Sequence, residues 1–109
     1  SLKNYDEAIR AYNDFLDRYS GHPLLPIVRQ SLGYAYEEKG LLQEAVKQFD
    51  EISADGNSFL VAQGNWDAGR CYEKLGQTSD AIRSYTKVIE LSPNSNWATM
   101  SQYRLSVIR

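Results

Sequence analysis

Disulfides, metal centres and hydrolytic sites all need residues that this sequence has in very small number. The chain contains one cysteine, Cys71, and one histidine, His22, among 109 residues. A single cysteine excludes an internal disulfide, and a lone histidine in a Gly-His-Pro turn indicates a loop residue rather than a metal ligand. We therefore expect that the protein is not an enzyme and that it holds neither a cofactor nor a metal ion.

An excess of basic charge and long apolar runs are missing as well. The 12 lysines and arginines are outnumbered by 14 aspartates and glutamates, which gives a formal net charge of −2. Nucleic-acid binding therefore has no electrostatic support. The sequence also has no run of about 18 apolar residues, so we expect no segment that inserts into a membrane. The compartment stays open, since the cytoplasm and the bacterial cell envelope both fit.

An internal repeat is the most informative feature that is present. The segment GYAYEEKG over 33–40 returns 36 residues later as GRCYEKLG over 69–76. Each copy is followed, five residues after its second glycine, by an alanine, Ala45 or Ala81, and a third such alanine, Ala8, stands near the start. Self-similarity at one period of this length indicates a stacked repeat protein, which typically offers a binding surface.

Apolar residues recur at three- and four-residue steps, which predicts helices. The predicted helices cover roughly 4–19, 24–39, 42–53, 58–75, 79–91 and 96 to the end. No stretch alternates apolar and polar residues for long enough to predict a strand. Glycines after some helices and polar residues before the next imply antiparallel hairpins. The predicted fold is therefore all-α, with six helices.

Several residues are predicted to define the starts of these helices. Asn4 and Glu7 fit a capping box at the first helix. Pro23 and Pro26 are expected in the first turn of the second helix, where a missing amide costs little. The caps predicted for the fourth and fifth helices are Asn57 or Ser58 and Thr78 or Ser79.

The repeated pattern resembles the tetratricopeptide repeat. One copy has LGxxY over 32–36, then Ala45 and Phe49, and the other has AGxxY over 68–72, then Ala81 and Tyr85. The family repeats every 34 residues or so, slightly less than the spacing here. The resemblance implies a right-handed solenoid of antiparallel helix hairpins. In it Gly33 and Gly69 allow close helix approach, and Tyr36, Tyr72, Phe49 and Tyr85 fill the space between hairpins.

The resemblance also divides the chain. We expect a single domain over 1–109, with a second helix of a partial repeat at 4–20, repeats at 23–56 and 57–93, and a first helix at 94–109. This order looks like a piece of a longer array, and the sequence is similar to bacterial members of the family. The terminal helices are expected to expose apolar faces, so a homo-oligomer formed through them is one hypothesis.

In arrays of this family the first helices of the pairs line a concave groove, which implies a protein or peptide partner. Tryptophan, tyrosine and arginine are the side chains most enriched in binding hot spots. Alignment on the two glycines maps the candidate partner-binding residues onto this groove. These candidates are Gln30, Tyr34, Gln63, Trp66, Asp67, Arg70, Tyr103 and Arg104.

Other interpretations of these residues remain open. Trp66 fits a core position as well as a groove position, and Arg70 with Asp67 fits an exposed ion pair at a three-residue step. Glu37 and Glu38 are expected on solvated faces. Cys71 aligns with an alanine and is expected to be a small buried residue.

Two functions follow from this sequence. The first is an interaction scaffold that binds a partner in the groove. The second is a structural spacer within a larger assembly, such as one tethered to a bacterial envelope. A partner segment lying along the groove would favour the first function, and a groove filled by its own side chains would favour the second.

Overall fold

The computed structural model describes residues 2–54 and 60–109, and within these ranges it is all α-helix and turn, without strands. The helices are α1 (Leu2–Arg18), α2 (Leu25–Glu38), α3 (Leu42–Ala54), α4 (Val61–Lys74), α5 (Thr78–Leu91) and α6 (Asn96–Ile108). The prediction of an all-α fold with six helices is confirmed. The predicted division into units at 23, 57 and 94 stays a prediction.

Each helix packs against the helix before it and the helix after it, and α4 also contacts α6. This neighbour-to-neighbour packing is the pattern of a solenoid, in which one hairpin buries its apolar side on the next. We call α2, α4 and α6 the first helices and α1, α3 and α5 the second helices. Side-chain hydrogen bonds join α2 to α4 and α4 to α6, so the first helices lie side by side.

Within each complete hairpin an aromatic ring lies directly on a glycine of the partner helix. A Cβ atom added at Gly33 would lie 2.5 Å from Cε1 of Phe49, and one at Gly69 would lie 2.5 Å from Cε1 of Tyr85. Phe49 and Tyr85 are 0% and 1% exposed. The predicted close approach at both glycines is therefore confirmed, and the two copies share the same packing.

The tyrosines of the repeated pattern connect one hairpin to the hairpin before it. The hydroxyl of Tyr36 in α2 accepts a hydrogen bond from Nδ2 of Asn13 in α1 at 3.3 Å. The hydroxyl of Tyr72 in α4 donates to Oδ2 of Asp50 in α3 at 2.5 Å. These two tyrosines lie between hairpins as predicted. Phe49 and Tyr85 cover the glycine of their own hairpin and also join core clusters with the following first helix, so they too contribute to the packing between hairpins.

Cys71 belongs to the core between α3 and α4, together with Ala45, Phe49 and Ala68. Burial, and secondly the negative charge of Glu37, raise the pKa of the thiol to about 12. The thiolate is therefore scarcely populated at neutral pH, and Cys71 is a small core residue as predicted.

Several predicted helix starts are wrong because the turns differ from those expected. Helix α1 begins at Leu2, so Asn4 lies inside the first turn rather than before it. Gly76 has a left-handed φ of 74°, and the amide of Gln77 bonds to the carbonyl of Tyr72 at 2.9 Å. Because of this tight turn α5 begins directly at Thr78, so Thr78 and Ser79 both lie inside the helix and neither is its cap.

Local hydrogen bonds determine where the helices α2 and α6 begin. The amide of Leu24 bonds to Nδ1 of His22 at 3.0 Å, so Pro23 lies in a turn before α2, and only Pro26 lies in the first helical turn. Ser95 caps α6 by accepting a hydrogen bond from an amide. The caps predicted at 57 and 58 lie outside the described residues.

The ring-on-glycine contact predicts an unusual response to Gly69→Ala. In a helix interior alanine is ordinarily favoured over glycine by about 1 kcal/mol, but here the added methyl group meets the ring of Tyr85. We expect a net loss of about 1–2 kcal/mol in the free energy of unfolding, since overpacking typically costs about 1–3 kcal/mol. Urea denaturation followed by circular dichroism measures the loss.

The control for this experiment is the same substitution in a Tyr85→Leu background, where the ring is absent. We expect Gly69→Ala to be neutral or stabilising there. A variant that gains stability in the wild-type background would contradict the contact.

Candidate functional site

The eight predicted binding residues lie on the three first helices, as the alignment implied. We call the surface that they form the inner face. Its residues are Gln30 and Tyr34 on α2, Gln63, Trp66, Asp67 and Arg70 on α4, and Tyr103 and Arg104 on α6.

Tyr34 is the first link between α2 and α4. Its hydroxyl donates to Oδ2 of Asp67 at 2.8 Å and accepts from Nε2 of Gln63 at 3.1 Å. Burial, and secondly the charge of Asp67, raise the pKa of Tyr34 to about 12. Tyr34 is therefore a neutral donor at neutral pH, held in place by two residues of the neighbouring helix.

Arg70 is the second link, and it bridges carboxylates on two helices. Its Nη1 atom donates to Oδ1 of Asp67 at 2.7 Å, while Nε and Nη2 donate to both oxygens of Glu37 at 2.9 and 2.6 Å. Nζ of Lys74 donates to Oε2 of Glu37 at 2.7 Å. Glu37 on α2 thus forms ion pairs with two basic residues of α4, Arg70 and Lys74. We call Tyr34, Gln63, Asp67, Arg70, Glu37 and Lys74 the polar network.

The interpretation of Asp67 and Arg70 as an exposed pair is wrong. Asp67 is only 2% exposed, and Arg70 also reaches across to Glu37. Breaking such a buried arrangement leaves a charge without its partner, which costs far more than the loss of a surface ion pair.

Burial and pairing act against each other on the two carboxylates. Burial is the larger influence on Asp67 and raises its pKa despite the hydrogen bond from Arg70. Burial is also the largest single influence on Glu37, but the hydrogen bonds and charges of Arg70 and Lys74 together outweigh it and lower its pKa. Glu37 is therefore the carboxylate whose ionised form the fold stabilises.

A second bridge joins α4 to α6. Nε and Nη2 of Arg104 donate to the carboxylate of Glu73 at 3.1 and 3.0 Å. The guanidinium carbon of Arg104 also lies 5.9 Å from the ring centre of Tyr103, within the range of a cation–π contact. Glu73 thus links α4 to α6 through an arginine, in the same way that Glu37 links α2 to α4.

The two bridging glutamates were not among the predicted binding residues. Glu37 was expected on a solvated face, but its side chain is only 10% exposed. The sequence did carry a signal, because Glu37 and Glu73 occupy the same position in the two copies of the repeat. An acidic residue at the same position in both copies is consistent with a basic partner in both, and these partners are Arg70 and Arg104.

The remaining predicted residues lie outside the polar network. The ring centre of Trp66 lies 5.3 Å from that of Tyr85, so this half-buried residue of the inner face also packs against the core. Gln30 is half-buried on α2. Tyr103 is 65% exposed and is the most accessible aromatic residue of the inner face.

The α6 end of the inner face is apolar and uncovered. Met100, Tyr103 and Val107 are exposed, and their three- and four-residue spacing places them on one side of the helix. We call these three residues the α6 patch. The inner face therefore combines a polar centre, in which the charges are paired, with an apolar edge.

The part of the chain that the structure describes contains no candidate metal site and no candidate membrane-spanning helix. Three or more His, Cys, Asp or Glu side chains do not cluster there in a way that suits a metal ion. Nor does any helix in those ranges have the length and apolar character needed to cross a membrane.

Comparison with known families gives two matches. Residues 1–59 match a family model described as tetratricopeptide repeat, and residues 62–95 match a second model with the same description. The first match alone covers more than half of the 109 residues. No curated protein matches the chain.

Replacing Arg70 with alanine tests the polar network. Because Asp67 and Glu37 then lose their shared partner, we expect the free energy of unfolding to fall by about 2–3 kcal/mol. Chemical denaturation at neutral pH measures the change. The matched control is Arg83→Ala, since Arg83 pairs with Asp80 at the same three-residue spacing but is 75% exposed. Its loss should stay below about 0.5 kcal/mol, and equal losses in the two variants would contradict the network.

The lowered pKa of Glu37 makes its contribution dependent on pH. The folded-state pKa lies below the unfolded value of about 4.3, so the stabilisation is complete above that pH and disappears as the pH falls through the folded-state pKa. We expect Glu37→Gln to destabilise the protein at about pH 7 and to destabilise it less at about pH 3.

Urea denaturation at both pH values checks this expectation. The exposed neighbour Glu38 provides the control, because Glu38→Gln should change stability little at either pH. A loss for Glu37→Gln that is the same at both pH values would show that its charge is not what matters.

Proposed function

The chain belongs to the tetratricopeptide repeat family, a non-catalytic family whose members generally serve as protein-interaction scaffolds, and we propose that it binds a protein or peptide partner on the inner face. One observation carries this proposal. The exposed α6 patch lies on a helix that Arg104 and Glu73 tie to α4, and α4 carries four of the six residues of the hydrogen-bonded polar network.

The polar network supports binding by fixing the spacing of the first helices. Tyr34 of α2 bonds to Gln63 and Asp67 of α4. Glu37 of α2 accepts two further hydrogen bonds from Arg70 of α4. A surface whose side chains are held before binding loses less conformational entropy when a partner arrives. The polar network therefore keeps the inner face rigid, and it is not the main source of contacts with a partner.

The α6 patch supports binding by offering apolar area that a partner can cover. Tyrosine is enriched in hot spots because one rigid side chain provides both a large apolar surface and a hydroxyl. Tyr103 is therefore the residue that we expect to contribute most, with Met100 and Val107 beside it.

The charges of the inner face narrow the class of partner. Glu37, Asp67 and Glu73 are neutralised by Arg70, Lys74 and Arg104 within the protein. A strongly acidic or strongly basic partner would therefore find little complementary charge. We infer a segment that anchors through an apolar or aromatic side chain, with neutral polar groups on either side.

A spacer function is the second candidate, and one observation favours it. Tyr34, Gln63, Asp67 and Arg70 are bonded to one another, so the centre of the groove is partly filled by its own side chains. In that case the network serves only to hold successive hairpins at a constant distance.

A displayed random-peptide library selected on the folded chain separates these two functions. Selected peptides are measured by isothermal titration calorimetry against wild type and Tyr103→Ala. We expect Tyr103→Ala to weaken binding by about tenfold or more, since hot-spot truncations cost about 2 kcal/mol.

Tyr19→Ala is the matched control, because Tyr19 is an exposed tyrosine just after α1, far along the chain from α6. Peptide affinity should be unchanged in that variant. If no selected peptide depends on Tyr103 and amide shifts on titration avoid α2, α4 and α6, the spacer function stands and the binding proposal does not.

A further inference from the structure

The two complete hairpins differ in one interaction between their helices. In the first hairpin Arg29 of α2 crosses to α3, where its Nη1 atom donates to Oε1 of Gln48 at 3.2 Å and also pairs with Glu51. The residues 36 positions later, in the second hairpin, are Asn65, Ser84 and Lys87. The second hairpin therefore lacks both the long arginine side chain and its acidic partner, and it has a lysine in place of the glutamate.

A pocket of about 290 Å³ lies where these shorter side chains stand. Its lining residues come from α3, α4 and α5, and they are Asp50, Asn65, Tyr72, Arg83, Ser84 and Lys87. We call it the α3–α5 pocket. Helices α2 and α6 pack on α3 and α5 from the two sides, and neither terminal helix lines the pocket. All six lining residues lie outside the inner face and the polar network.

The buried part of the α3–α5 pocket offers hydrogen-bonding groups that the fold leaves unused. Asn65 and Ser84 are only 6% and 7% exposed. Nδ2 of Asn65 donates to the carbonyl of Val61 at 3.1 Å, which leaves its Oδ1 atom as an acceptor. The hydroxyl of Ser84 makes no hydrogen bond with any residue that the structure describes. Because a buried polar group without a partner costs free energy, a ligand that supplies the partner gains affinity.

Asp50 adds a half-buried carboxylate to these groups. It accepts a hydrogen bond from the hydroxyl of Tyr72 at 2.5 Å, and it forms no ion pair within the described ranges. Burial is the largest influence on its pKa and raises it despite that hydrogen bond. The charges of Asp80 and Arg83 act on this pKa in opposite directions. A cation bound beside Asp50 therefore stabilises an ionised form that the protein alone disfavours.

The rim of the α3–α5 pocket carries the opposite charge. Arg83 and Lys87 are exposed and lie one helical turn apart on α5. Arg83 pairs with Asp80, whereas Lys87 has no ion-pair partner in the part of the chain that the structure describes. A purely cationic ligand meets these two cations, and a purely anionic ligand meets Asp50. The lining therefore suits a ligand with one charge of each sign.

We propose that the α3–α5 pocket binds an arginine side chain of a protein partner in which an acidic residue stands next to that arginine. The guanidinium lies against Asp50, Asn65 and Ser84, and the acidic group pairs with Lys87 at the rim. Arginine is the favoured cation because its planar guanidinium donates several hydrogen bonds at once. In the first hairpin a guanidinium already occupies the equivalent space. The pocket gives the scaffold a second binding site, separate from the inner face.

Short blocked peptides test the chemistry of the ligand. The probe is acetyl-Gly-Glu-Arg-Gly-amide, and amide chemical shifts of the isotope-labelled protein report both its affinity and its site. We expect a dissociation constant of about 1–10 mM, with shifts centred on Asn65, Tyr72 and Ser84. Citrulline in place of arginine keeps the shape without the charge and should weaken binding by about tenfold or more. Glutamine in place of glutamate should weaken binding by about threefold, because the rim is exposed.

Free arginine is a further probe, since it carries a guanidinium and a carboxylate in one small molecule. A site for the side chain of a partner binds the blocked peptide at least as tightly as free arginine. Tighter binding of free arginine would show a site for the amino acid itself and would overturn the proposal.

A repeat-swap variant tests the pocket. Asn65→Arg, Ser84→Gln and Lys87→Glu together give the second hairpin the residues of the first, so its own arginine fills the space. We expect this variant to fold, as circular dichroism verifies, and to lose peptide binding. Asp50→Asn keeps the shape of the pocket but removes its charge, and it should weaken binding by about tenfold or more. The matched control is Tyr103→Ala on the inner face, which should leave the affinity unchanged.

The proposal fails if the arginine peptide causes no shifts at the α3–α5 pocket up to about 20 mM. Equal binding of the citrulline peptide, or wild-type affinity in Asp50→Asn or in the folded repeat-swap variant, would also overturn it. Loss of binding in Tyr103→Ala would place the peptide on the inner face instead. The pocket shares no residue with the inner face, so these outcomes are distinct from a failure of the inner-face proposal.

Discussion

The contact between an aromatic ring and a bare helix backbone is the constraint on which the fold depends. At Gly33 and Gly69 there is no room even for a methyl group beside Phe49 and Tyr85. The two helices of each hairpin are consequently as close as their backbones and one ring allow. Because the same contact occurs twice, both hairpins have the same shape, and identical shapes can stack in a regular array.

Hydrogen-bonded charges then fix one hairpin relative to the next. Glu37 and Glu73 hold equivalent positions, and each accepts hydrogen bonds from an arginine of the following first helix. These bridges are half-buried, so they are less screened than surface pairs and are sensitive to the loss of one partner. They keep the first helices at a constant spacing, which is what either a binding scaffold or a spacer requires.

The same geometry explains which surfaces of the chain remain available. The central hairpins pack on one another, and hydrogen bonds between polar side chains hold the inner face together. The α6 patch, in contrast, is exposed. The exposed apolar area of the inner face is therefore concentrated on its α6 side.

The sequence by itself determined the helices, their pairing into hairpins and the two close approaches at Gly33 and Gly69, because these depend on apolar periodicity and on residues near each other in the chain. It also indicated the inner face, since the alignment of the two copies places the first helices together. The tertiary structure alone decided that Arg70 donates hydrogen bonds to Glu37, that Asp67 is buried and that Trp66 packs against Tyr85. Those contacts join different helices, so they depend on the rotation and separation of those helices, which no local pattern specifies.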